Sequence, residues 1–203
     1  MKIKFDPHIH HRRSIRLKGY DYSQPGAYFI TLVTQGRDCI FGEVIEGDMV
    51  LNWYGKTVHR DWMDLPHHYP FVTLDAFIMM PNHVHAIVVL RTDDVGRGGS
   101  TQAHNSKLIK FVSDRFVTPD VGQTRPYGIR RHGLPEIVRA FKSFSARRIN
   151  QKRRLPGIAV WQRNYYEHII RNQSDLDCIR LYIGDNPRRW AEDPENQKYG
   201  RSI

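Results

Sequence analysis

The order of elements readable along this 203-residue chain predicts an α+β fold: a ferredoxin-like antiparallel sheet with helices on one face, followed by a further C-terminal helix. Three observations carry that expectation. Stretches rich in β-branched and aromatic residues recur at 27–35, 71–80, 83–90 and 158–170. Amphipathic helical stripes alternate with them at 53–64, at 135–150 and from 174 onward. Only Pro81-Asn82 separates the two middle strands, a link short enough for an antiparallel hairpin.

Residues 1–26 are mostly polar, carry several His and Arg, and close on Ser23-Gln24-Pro25-Gly26. They read as a basic arm leading into a single domain over 27–190, with 191–203 as a tail. Residues 27–35 (AYFITLVTQ) form the first expected strand, and Gly42 with Gly47-Asp48 predicts a turn or small hairpin after it. Asn52 is placed to cap a helix reaching about Asp64, with Tyr54, Val58, Trp62 and Leu65 on its apolar stripe and Pro66 as its stop. Residues 71–80 and 83–90 (HVHAIVVL) follow as strands. The polar, glycine-containing stretch 92–133 reads as a loop or insertion, long for a compact domain and therefore expected to be mobile or functional. The next helix carries Ile137, Phe141 and Phe144 as its stripe. Ser174 then reads as an N-cap, with Asp175 and Asp177 in the first turn where negative charge suits the helix dipole. Leu176, Ile179 and Ile183 face inward, and Pro187 ends that helix.

With 40% hydrophobic and 26% charged residues, the chain can bury a core without staples. Two cysteines, Cys39 and Cys178, exclude a disulfide framework and a Cys-rich zinc ribbon, and fit a reducing compartment. The opening Met1-Lys2-Ile3-Lys4-Phe5 lacks the apolar stretch of a signal peptide, and no run approaches the roughly 18 apolar residues of a membrane helix. A soluble cytoplasmic protein is expected. The net charge of +10 points to a polyanionic partner. That charge clusters: Arg130, Arg131, Arg139, Lys142, Arg147, Arg148, Lys152, Arg153 and Arg154 face one acid, Glu136, between 130 and 154. With Arg12, Arg13 and Arg16 of the arm, these are the candidate phosphate contacts. Trp161, Tyr165 and Tyr166 could stack on unpaired bases or fill the core.

Two patterns carry chemistry. His83-Val84-His85 lies on an expected strand, where residues i and i+2 share a face, so both imidazoles can converge on one metal ion. A hydrogen-bonded pair facing water is the plain alternative. A second such triplet, His8-Ile9-His10, sits in the polar arm and reads as solvated. Tyr182 and Asn186 stand four residues apart on an expected helix and share a face. A phenol can attack phosphorus where its ionisation is assisted, and an amide oxygen can complete a metal site; a core tyrosine beside Ile179 and Ile183 is the competing assignment.

Four blocks together resemble one family. MPNHVHAIVVL (80–90) resembles the motif of the single-tyrosine HUH transposases. WQRNYYEHIIRNQSDLDCIRLYIGDNPRRW (161–190), RRSIRLKGYDYSQPGAYFITLVTQGR (12–37) and FKSFSARRIN (141–150) resemble the branch called REP-associated tyrosine transposases. The resemblance implies that the C-terminal helix carries a nucleophile, Tyr182, and that His83, His85 and Asn186 hold Mg²⁺ or Mn²⁺. It further implies cleavage of single-stranded or hairpin DNA through a 5′-phosphotyrosine, by a monomer or homodimer. Two alternatives stay open: a non-catalytic single-strand binder, and a zinc hydrolase built on the two histidines, for which no third ligand is evident from spacing.

Overall fold

The computed structural model describes residue 17, residues 19–92 and residues 132–196. His8, His10, Arg12, Arg13, Arg16, Arg130 and Arg131, almost all of the 92–133 stretch, and residues 197–203 lie outside the described residues.

Strand β1 (Gly26–Val33) is followed by a small hairpin, β2 (Gly42–Ile45) and β3 (Asp48–Leu51), then by helices α1 (Trp53–Met63) and α2 (Leu65–His68). Strands β4 (Val72–Met79) and β5 (His83–Leu90) precede the long helix α3 (Leu134–Arg153). Strand β6 (Tyr166–Ile170), helix α4 (Gln173–Asp185) and a 3-10 segment, Pro187–Glu192, complete the order. The main sheet runs β4-β5-β1-β6, and every neighbouring pair is antiparallel. With the β2–β3 hairpin and α2 set aside, this is the expected ferredoxin-like βαββαβ arrangement.

The two sheet faces are covered differently. Tyr28, Ile30, Leu32, Val84, Ala86 and Val88 pack with Val58 and Trp62 of α1 and Ile137, Val138 and Phe141 of α3. On the other face Phe29, Ile87, Val89 and Ile170 pack with Leu176 and Ile183 of α4. β5 is buried along its whole length because both its faces are covered, which explains its unbroken apolar character.

The caps explain the helix boundaries. Asn52 Oδ1 accepts from the Tyr54 and Gly55 amides at 2.9 and 3.1 Å, as expected for α1. Gly55 also lets α1 approach its neighbour, since a Cβ there would lie 2.3 Å from the Phe41 carbonyl oxygen. Three expectations need correction. Pro66 does not merely stop α1; it occupies the first turn of α2, where its missing N–H costs nothing. Phe144 is 52% exposed, because Ile137, Phe141, Ser145 and Ile149, spaced by four, take the inward face of α3. The cap of α4 is Asn172, not Ser174: Asn172 Oδ1 accepts from the Asp175 amide at 2.8 Å, which leaves Ser174 inside the first turn.

Candidate metal and tyrosine centre

Strand alternation sends Val84 into the α1–α3 side of the sheet and His83 and His85 to the α4 side. Both histidines are buried. Their outer nitrogens face each other, with Nε2 to Nε2 at 3.1 Å. Helix α4 crosses above them and brings the Tyr182 hydroxyl to 3.2 Å from His85 Nε2. Phe29 of β1 stacks on the His85 ring at 5.5 Å and meets the Tyr182 ring edge-on at 6.1 Å, so an apolar wall backs the pair.

The neighbouring groups set the tautomers. The Asn82 amide nitrogen donates to the carbonyls of Arg37 and Glu195 at 3.0 and 2.7 Å, which fixes its orientation. Asn82 Oδ1 is therefore the acceptor of the 2.8 Å contact with His83, so His83 Nδ1 carries the proton and Nε2 keeps its lone pair. His85 Nδ1 lies 2.8 Å from Thr31 Oγ1, its register partner on β1. That hydroxyl can accept from Nδ1–H or donate to a bare Nδ1. In the first case both Nε2 lone pairs converge, which suits a cation; in the second His85 Nε2–H can donate to His83.

Burial, and next the neighbouring His85, holds His83 well below the ordinary histidine range; burial alone takes His85 down to about 4. Both imidazoles are thus neutral at physiological pH, the form that ligates metal. Burial and then the charge of Asp193 push the Tyr182 phenol up, against opposing effects of Asn186 and Arg189.

Asn186 caps the end of α4 and is buried, facing the same cluster; its amide favours protonation of His83 and ionisation of Tyr182. Its Oδ1 is buried with no hydrogen-bond partner within the protein. One neighbour carries no signal in the sequence. Asp193, just past the 3-10 segment, lies with Oδ2 3.8 Å from His83 Nε2. One donor atom each from His83, His85 and Asp193 falls within 4.8 Å of the others, and all three residues are buried. Burial raises the Asp193 carboxyl above its ordinary value, and the charge of Glu195 acts in the same direction. Two imidazoles, a carboxylate and an unpartnered amide oxygen form a mixed nitrogen and oxygen donor set that fits a divalent first-row ion better than Mg²⁺.

A relative from Haemophilus influenzae, an uncharacterised protein, is 36% identical over 194 residues, covering 95% of this chain and 97% of the relative. A second protein of that organism, named "Putative REP-associated tyrosine transposase", is 28% identical over 167 residues, 82% of this chain and 73% of its own length. Over most of its length the chain is thus similar in sequence to a putative REP-associated tyrosine transposase. A solved structure of a REP-associated tyrosine transposase bound to a REP hairpin aligns over 84% of this chain and 72% of its own, with 17% identity and a TM-score of 0.47. No protein-family model matches the chain.

Among the described residues, the basic side chains expected to meet DNA sit on or just beyond α3, across the sheet from the histidines. Arg139, Arg147, Lys152 and Arg154 are exposed. Lys142 turns inward and donates to the Arg163 carbonyl at 3.1 Å as well as to that of Gln162; burial takes its ammonium down to about 8. Arg148 pairs with Asp61, and Arg153 donates to Asn150 Oδ1 at 2.8 Å. Of the aromatics considered for stacking, Trp161 is in the core and donates to Ser145 Oγ at 2.9 Å; Tyr165 is half-buried and Tyr166 is exposed.

No helix among the described residues is long and apolar enough to cross a membrane.

Proposed function

We propose that this chain is a single-tyrosine DNA nuclease and strand transferase acting on single-stranded DNA beside a hairpin, with Tyr182 as nucleophile and His83, His85 and Asn186, joined by Asp193, as the metal-binding group. The observation that carries this reading is the placement of the Tyr182 hydroxyl 3.2 Å from His85 Nε2, beside the buried and unpartnered Asn186 Oδ1. The name of one relative, a putative REP-associated tyrosine transposase, supports the reaction class.

When bound, a divalent ion, Mn²⁺ or Mg²⁺, would polarise the scissile phosphate and offset its charge. The remaining work falls to the chain. Phe29 and α4 hold the phenol at the site. The Tyr182 oxygen bonds to phosphorus as its proton leaves. The bond from phosphorus to O3′ breaks, and O3′ takes up a proton, giving a 5′-phosphotyrosine and a free 3′-OH. Attack by another 3′-OH reverses the step and joins strands, with no nucleotide triphosphate consumed. Exposed Arg139, Arg147, Lys152 and Arg154, with Arg12, Arg13, Arg16, Arg130 and Arg131, neutralise the backbone. Lys142, Arg148 and Arg153 contribute chiefly to local field and loop geometry.

The test is incubation with single-stranded hairpin DNAs and Mn²⁺, followed by a denaturing gel. A protein–DNA adduct that vanishes in Tyr182→Phe and with EDTA is expected, with DNA affinity changed less than about twofold. Salt-sensitive binding without an adduct would favour the non-catalytic binder, and a cut end free of protein would favour hydrolysis by water.

A further inference from the structure

The helix bearing Tyr182 is tied to both outer strands of the sheet. In the order β4-β5-β1-β6 the edges are β4 and β6. On the β4 side, Arg180 grips Asp75 with two bonds, Nε to Oδ1 at 2.8 Å and a terminal nitrogen to Oδ2 at 2.6 Å. On the β6 side, His168 meets Asp175 at 2.9 Å. Between these ties Leu176, Ile179 and Ile183 of α4 pack on the sheet.

The backbone of β4 is shaped for the first tie. Leu74 pairs with Val88 and Phe77 with Ala86, so Asp75 and Ala76 together oppose Ile87 alone. This is a β-bulge, which bends a strand and re-aims a side chain. Leu74 and Phe77 pack on the α1–α3 side, while Ala76 and Ile78 pack on the α4 side. The extra residue lets two consecutive side chains, Asp75 and Ala76, serve the α4 side. The Ala76 amide donates to Asp75 Oδ1 at 2.8 Å and holds the carboxylate toward Arg180. Arg180 and Tyr182 are about 200° apart around the helix. Clamping the arginine on one flank therefore fixes both the axial rotation of α4 and the height at which the phenol reaches the histidines.

We propose that Asp75 and Arg180 are positioning residues for Tyr182, with the β4 bulge aiming the carboxylate that sets the tyrosine helix over the metal-binding group. This rests on the proposed role of Tyr182. The test uses Asp75→Asn, Arg180→Gln and Arg180→Lys in the full chain. It reads single-turnover adduct formation at saturating hairpin DNA with Mn²⁺, DNA affinity, and amide hydrogen exchange over 173–185. Expected are a roughly 10–100-fold slower adduct step in the Asn and Gln variants, affinity within about twofold, faster exchange confined to α4, and partial recovery in Arg180→Lys. An unchanged adduct rate would overturn the proposal. So would exchange that rises equally throughout the protein with affinity lost in parallel, since that marks a general structural ion pair. If the unmutated protein forms no adduct, the function proposed for Tyr182 fails and exchange decides the anchor alone: acceleration limited to α4 retains it, and no acceleration removes it.

Discussion

Buried histidines are costly to charge, and that cost makes the centre sensitive to acid. His85 titrates near 6.5 in an unfolded chain but only at about 4 in the fold, because burial disfavours the imidazolium. Between those values the unfolded state binds the extra proton, so the stability is complete above pH 6.5 and is lost as pH falls toward 4. The loss from this residue reaches roughly 3 kcal/mol at its limit. Urea unfolding of the metal-free protein at pH 7 and pH 4.5 should show the decline, and His85→Gln should flatten it; an unchanged slope in that variant would contradict the assignment. Asp193 makes a second prediction. Asp193→Asn should weaken Mn²⁺ binding to the DNA-free protein by roughly tenfold or more in calorimetry. Equal affinity would leave Asn186 as the oxygen donor without Asp193. The facing of His83 and His85 was legible in the sequence because a strand alternates sides, and the shared face of Tyr182 and Asn186 because a helix repeats near four. Asp193 was not legible: it follows a 3-10 segment that returns to the histidines, and neither period extends across such a turn.

Helix α4 carries Tyr182 and is weakened near its end by Gly184, two residues on. A Cβ at Gly184 would meet nothing within 4 Å, and its backbone is helical. Gly184→Ala should therefore stabilise the protein by about 0.5–1 kcal/mol and raise Tm by roughly 1–4 °C, as read by calorimetry. A fall in Tm would mean that the helix end needs the freedom of glycine. The elements with strong periodicity were readable: the strands at 83–90 and 71–80, and α1 with its Asn52 cap. The errors have local physical causes. Phe144 fits a helical stripe by spacing, but Ile137, Phe141, Ser145 and Ile149 fill the inward row, and Ser145 is needed there to accept from Trp161. Asn172 and Ser174 are both good caps, and only the backbone decides between them. The β4 bulge left no trace in the sequence, since Asp75 reads simply as one polar residue within an apolar strand.

Across the whole molecule, the basic helix and the tyrosine centre lie on opposite faces of one sheet. Exposed Trp53 and Phe144 stand on the α1–α3 face beside cations, with Lys152 5.5 Å from the Trp53 ring and Arg147 6.0 Å from the Phe144 ring. Under the proposed function, DNA held on that face would be distinct from the strand being cut, so grip and chemistry should separate. Replacing Arg147 and Lys152 by Ala should lower affinity and reduce the steepness of its salt dependence by about one unit per residue. The adduct rate at saturating DNA should stay unchanged. Loss of that rate together with affinity would place the basic helix at the scissile strand instead. The clustering of charge was legible in the sequence, but its position behind the sheet was not, because it follows from the crossover that brings α3 beside α1.

The most direct measurement of the central claim is mass spectrometry of the adduct after protease and nuclease digestion. A nucleotide 5′-phosphate on the peptide carrying Tyr182, absent when EDTA is added, is the predicted result. The same modification on Tyr165 or Tyr166, or a cut DNA end bearing no peptide, would contradict it.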